Sequence, residues 1–169
     1  MNAYLKIAVL MLLLSASGVA RASLSCTLPG GVSLNFGNYD DTSTSNTDVS
    51  TTFTVSCCRN PPGSNDTLSV ALGPSTNSTA ANRITTRQMK NTVNADRMTY
   101  QLYSGSFGGT IWGDGVIGGS VVTQAISTNT HCPGSTVFTV NSAIFGRIAP
   151  QQAVSAGTYS DSLTISILP

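Results

Sequence analysis

Glutamate is absent from this 169-residue chain, lysine occurs twice, histidine and tryptophan once each, and charged side chains make up only 9% of it. Each shortage excludes something. Without glutamate, a glycosidase-type carboxylate pair has to come from seven scattered aspartates, and the single histidine, His131, beside Cys132 leaves little from which to build a nucleophile triad. No Gly-x-Ser-x-Gly elbow occurs either, so an enzyme is not expected. His131 and Cys132 with Cys57 and Cys58 are acceptable zinc ligands by type, but the spacing lacks a C-x-x-C knuckle. Asp40, Asp41 and Asp114 suit turn caps better than a calcium site. No cofactor is expected. Nor does any apolar run after Leu14 approach the length of a membrane helix.

What is present begins with an export pattern. Lys6 precedes an apolar run from Ile7 to Leu14, and small residues lead to Ala20-Arg21-Ala22, the A-x-A spacing of a signal-peptidase site. Residues 1–22 are therefore expected to be a removed signal peptide and residues 23–169 a single secreted domain. Removing Lys6 and Arg21 from the eight basic residues leaves six against seven aspartates, a net charge near −1. That balance gives no basis for binding nucleic acid. All four cysteines survive the cut, and an even count in an oxidising compartment predicts disulfides.

Polarity in the mature region comes from Ser, Thr, Asn and Gly, which suit strands and turns better than helices. Val32, Leu34 and Phe36 alternate with polar neighbours, as do Phe53, Val55 and Cys57, then Leu68, Val70 and Leu72, then Met98, Tyr100 and Leu102. Further strands are expected at 121–125, 136–140, 143–148 and 160–168, with Asn141-Ser142 parting two of them. Seven to eight short strands separated by Gly and Pro turns predict an all-β sandwich. By strand parity Cys57 points into the core and Cys58 away from it, so the adjacent cysteines need different partners. Cys26 with Cys57 and Cys58 with Cys132 is the preferred pairing; the exchange of Cys26 onto Cys58 and a strained Cys57–Cys58 bridge stay open.

Several motifs carry a family resemblance when taken in order: Cys26, Phe36-Gly-Asn-Tyr39, Thr54-Val-Ser-Cys57, Arg83 with Met89, Met98-Thr-Tyr-Gln-Leu-Tyr103, Trp112-Gly-Asp-Gly115, Phe145-Gly-Arg-Ile148, Gln151-Gln152 and Gly157-Thr-Tyr-Ser-Asp161. Together they resemble the spore coat protein U domain, or Csu-type pilin, family from Cys26 to Ile167. The resemblance implies an incomplete immunoglobulin-like sandwich and a structural subunit of archaic chaperone-usher pili, serving surface attachment or biofilm formation. Its implied partners are a periplasmic pilus chaperone, an outer-membrane usher, other pilin subunits and an abiotic or host surface. It also implies passage through the periplasm to the pilus or cell surface. Assembly would proceed by strand addition to an open sheet edge. Tyr159 with the alternating Leu163, Ile165 and Ile167 is the expected assembly surface.

One departure stands out. With the expected cut, only Ser23-Leu24-Ser25 precedes Cys26, too little for a donor strand, so a tip adhesin or a non-polymerising coat protein is the alternative. The glycine-dense stretch 105–119 carries Phe107, Ile111, Trp112 and Ile117, either as an apolar surface-binding loop or with Trp112 packed in the core. Asn65 and Asn77 match the glycosylation pattern but are expected to be bare in a bacterial pilin.

Overall fold

Two long strands, β2 (Thr47–Asn60) and β8 (Phe138–Ile148), pair antiparallel from Thr47↔Ile148 to Cys57↔Phe138 and form the frame of the molecule. In β2 the residues Ser50, Thr52 and Thr54 face solvent while Phe53, Val55 and Cys57 are buried, the period-two pattern that β-branched and aromatic residues stabilise on a pleated surface. The computed structural model describes residues 23–28, 30–60, 66–126, 132 and 138–168.

Around this frame lie β1 (Ser23–Thr27), β3 (Asp66–Leu72), β4 (Arg87–Asn91), β5 (Arg97–Ser104), β6 (Thr110–Ile111), β7 (Val122–Ile126), β9 (Tyr159–Ser160) and β10 (Ile165–Leu168). The larger sheet runs β1-β2-β8-β5-β4-β9, with β6 added to β5, and the smaller runs β10-β3-β7. No helix occurs among the described residues. The core fills the space between the sheets with Phe53, Val55, Leu68, Val70, Leu72, Met98, Leu102, Trp112, Ile144 and Ile148. Each such side chain contributes roughly 1.5 to 3 kcal/mol by leaving water. Trp112 is wholly buried, stacks on Phe53 at 6.0 Å between centroids, and donates its indole N–H to the Val70 carbonyl at 2.9 Å. That bond joins the Trp112 segment to the smaller sheet, so one side chain fastens both layers.

Cys26 lies directly opposite Cys57 and is bonded to it, and Cys58 is bonded to Cys132. The two bridges leave β2 from consecutive residues.

The strand pattern expected from the sequence is altered in four places. Residues 143–148 are not a separate strand: β8 runs unbroken through Asn141-Ser142, held by pairing of those residues with Thr54 and Phe53. The stretch 160–168 is not one strand but two short ones in different sheets, β9 beside β4 and β10 beside β3. Val32, Leu34 and Phe36 do alternate inward, yet residues 31–40 belong to no strand. Finally β1, β4 and β6, which lie outside the alternating stretches, bring the count to ten among the described residues.

Candidate strand-accepting groove

The chain's passage from the larger to the smaller sheet is pinned at Asp161. Its Oδ1 accepts hydrogen bonds from the Thr76 amide (3.1 Å), the Thr76 hydroxyl (3.0 Å) and the Asn77 amide (3.1 Å), and its Oδ2 accepts one from the Tyr100 hydroxyl at 2.7 Å. Burial, then the bond to Asp161, pushes the Tyr100 phenol far above its usual range, so it stays a proton donor. Asn77 also donates to the Ser160 carbonyl at 2.8 Å, which ties its amide into the same corner.

Beyond this corner the chain runs beside β3. The Ser162 and Thr164 carbonyls accept from the Thr76 and Gly73 amides, at 3.4 and 2.8 Å, and β10 continues with Ser166 opposite Ala71 and Leu168 opposite Ser69. Leu72, opposite Ile165, instead sends its amide to the Gly113 carbonyl at 3.0 Å. Antiparallel ladders alternate, so the even-numbered residues 162–168 bond to β3 and the residues that follow it, while the N–H and C=O of Leu163, Ile165 and Ile167 point to the opposite edge. Among the described residues no strand lies along that edge. The side chains of the same three residues are half-buried against the core.

Across the gap runs the extended segment 31–40, with Val32, Leu34 and Phe36 turned inward. Leu34 and Phe36 sit directly over Gly146 in β8, where any Cβ would collide with both. Between the two rims opens a groove in two connected parts. One, of about 580 Å³, has Leu72, Tyr100, Leu102 and Ile144 in its lining; the other, of about 520 Å³, extends towards Asn38 and Val154. Leu34, Phe36, Met89 and Tyr159 line both parts. Chemically the groove offers apolar walls and a row of free backbone donors and acceptors, which is what an additional β-strand requires.

The structure thus brings Tyr159, Leu163 and Ile165 to the groove, with Ile167 following on the same edge. The glycine-dense stretch is divided. Trp112 is in the core, and Ile111 is half-buried beside Tyr103. Phe107 is 37% exposed and lies edge-on to Phe145, at 5.1 Å, with the Arg147 guanidinium 5.9 Å from its ring centre. Ile117 is 53% and Val116 89% exposed. Sequence reasoning missed Val116, although its place between two turn-forming glycines was a usable signal.

Asp114 caps this loop: its Oδ1 accepts from the amides of Val116 (2.9 Å), Ile117 (2.8 Å) and Gly118 (3.3 Å). Burial alone would raise its pKa, but the three amides outweigh that and hold the carboxyl below its usual range. Asp40 likewise caps Thr42. His131 and Asn65 lie outside the described residues. Among the described residues no group of three or more His, Cys, Asp or Glu is arranged to hold a metal.

Among the described residues, two sheets around a core that is open along one edge define an incomplete β-sandwich. The chain belongs to the Spore Coat Protein U domain family, whose model matches residues 12–166. A search of the curated proteins gives no match. Among solved structures, the chain is similar to one in the CsuC–CsuE chaperone–tip adhesion subunit pre-assembly complex from archaic chaperone-usher Csu pili of Acinetobacter baumannii. The TM-score is 0.54 at 20% identity, covering 86% of this chain and 39% of that one. A second similarity is to a chain in the chaperone–tip adhesin complex of CFA/I fimbriae biogenesis, with a TM-score of 0.50 at 12% identity, covering 86% and 42%. The chain spans about two fifths of the length of the proteins it matches, and at these identities the likeness is one of fold.

Proposed function

We propose that this protein is a subunit of archaic chaperone-usher pili that completes its fold by accepting a strand from a partner. The observation that carries this reading is the groove itself: apolar side chains along both walls, and the backbone of Leu163, Ile165 and Ile167 unpaired on one rim. Support also comes from the family and from the fold shared with chains of two chaperone–subunit complexes. In this reading residues 1–22 direct export and residues 23–169 form the domain. A periplasmic chaperone then supplies the strand, an outer-membrane usher receives the complex, and another pilin subunit takes over the groove. The product serves attachment or biofilm formation at the cell surface.

Co-expression of the chain with the chaperone of its own assembly system tests this. Recovery of a one-to-one complex that is lost when proline at Ile165 blocks the open edge is the expected result. A stable folded monomer that takes up no strand would overturn it.

A second reading, a terminal adhesin, is favoured by the apolar tip at Val116 and Ile117, held out by the Asp114 cap. Replacing both with serine should then weaken adhesion of piliated cells to an apolar surface without reducing the number of pili. Unchanged adhesion would remove this reading.

A further inference from the structure

Resting on the groove's acceptance of a strand, we infer that Met89 is an oxidation site whose modification shuts the groove. Met89 is half-buried in β4 and lines both parts of the groove, so its thioether sits where the incoming strand must pass. Its cross-strand neighbour Met98 is only 4% exposed. These are the two methionines among the described residues; Met98 borders only the second part of the groove and is almost wholly covered, whereas Met89 is half-buried and lines both parts, so Met89 is the more open of the two to a small solute.

The chemistry is a two-electron oxidation by a peroxide. The Met89 sulfur attacks one oxygen of hydrogen peroxide, an S–O bond forms as the O–O bond breaks, and the departing hydroxide takes the proton from the attacked oxygen and leaves as water. Sulfur is oxidised to the sulfoxide and the peroxide is reduced. The product replaces a flexible apolar side chain with a polar one that demands a hydrogen bond. In an empty groove water supplies that bond. Under a seated strand water is displaced from a lining shared with Leu34, Phe36 and Tyr159, and a sulfoxide left without a hydrogen bond there weakens strand binding about ten- to a hundredfold.

The relation also runs in reverse. A seated strand covers Met89, so a subunit with a filled groove resists oxidation and one with an empty groove does not.

The test uses the exported chain, a synthetic strand peptide of alternating valine and threonine, and hydrogen peroxide. Peptide mass mapping should show one oxygen gained at Met89 before any at Met98, and far slower gain when the peptide is bound. Peptide affinity should fall at least about tenfold after oxidation, and the affinity of Met89→Leu, whatever its starting value, should be the same before and after the treatment. Equal affinity before and after Met89 is oxidised overturns the inference alone. Oxidation of Met98 first, or no protection by bound peptide, also overturns it. If the untreated protein takes up no strand peptide, the acceptor reading falls, and this inference falls with it.

Discussion

Arg87 is the residue on which the groove's foundations meet. Its guanidinium is completely buried, yet its partners are all neutral oxygens. Nη1 donates to the Ile84 carbonyl (2.9 Å) and Gln101 Oε1 (2.7 Å), and Nη2 to the carbonyls of Gly73 (3.2 Å) and Trp112 (2.9 Å). Burial lowers its pKa, with Tyr100 and Asp161 acting in the other direction, but a guanidinium remains charged throughout the physiological range. Arg87→Leu strands these acceptors and should cost about 3 kcal/mol or more in urea denaturation. Arg87→Lys should recover less than half of that, because an ammonium cannot reproduce the planar fork. A loss below about 1 kcal/mol would mean that water replaces the arginine. Nothing in the sequence marked Arg87, since a basic residue in a polar strand reads as solvent-facing. Asp114 was legible as a turn cap, and its lowered pKa fixes a direction. The folded value lies below the unfolded value of about 3.9, so its contribution is complete above that pH and is lost as pH falls through the folded value. The protection of the Val116, Ile117 and Gly118 amides against exchange, taken relative to the intrinsic rate at each pH, should therefore fall on acidification below about pH 4, and Asp114→Ala should remove it at neutral pH as well.

At the level of elements, the alternation along β10 separates two kinds of damage. Proline at Ser166 removes an N–H that faces β3, so it should break the ladder and destabilise the domain. Proline at Ile165 removes an N–H that faces the empty edge; it should leave a folded domain with somewhat looser packing and no uptake of a strand peptide, as titration calorimetry would show. Equal effects of the two substitutions would mean that the edge assignment is inverted. Gly146→Ala acts on the other rim, pushing Leu34 and Phe36 off β8, and should weaken strand binding more than it lowers the melting temperature. The sequence showed which face each of these residues would present, because hydrophobic alternation encodes burial. It did not show which neighbour each strand would have. Residues 159–168 keep a sensible alternation while changing sheets at Asp161, and residues 32–36 keep theirs with no strand partner at all. Asn141-Ser142 has the composition of a turn, but the long partner β2 overrides that local preference. Gln152 was noticed only as part of a family motif. Its amide oxygen accepts from the Thr99 amide (2.7 Å) and its amide nitrogen donates to the Thr99 carbonyl (2.8 Å), so a side chain closes a stretch of β5 that β8 does not reach.

For the whole molecule, a core left open along one edge among the described residues has to be offset by other constraints, and the bridges supply them. Cys26–Cys57 and Cys58–Cys132 close loops of 31 and 74 residues. On a chain-entropy account each stabilises the fold by about 4 kcal/mol, against a net stability of about 5 to 15 kcal/mol for a typical domain. Reduction before the groove is filled should therefore unfold most of the population, read as loss of the near-ultraviolet signal of the buried Trp112. Reduction with a strand seated should unfold much less. An unchanged melting temperature on reduction would show that the sandwich is self-sufficient. The same bridges decide how the domain behaves under load. A pull arriving at the N-terminal end of β1 reaches Cys26 and passes at once into Cys57 in β2, rather than peeling the rim behind β1 away residue by residue. Some 31 residues, about 100 Å of extended chain, are thereby withheld from stretching. Placed in a fibre, the domain would act as a stiff link whose length under tension depends on whether its sulfurs are joined.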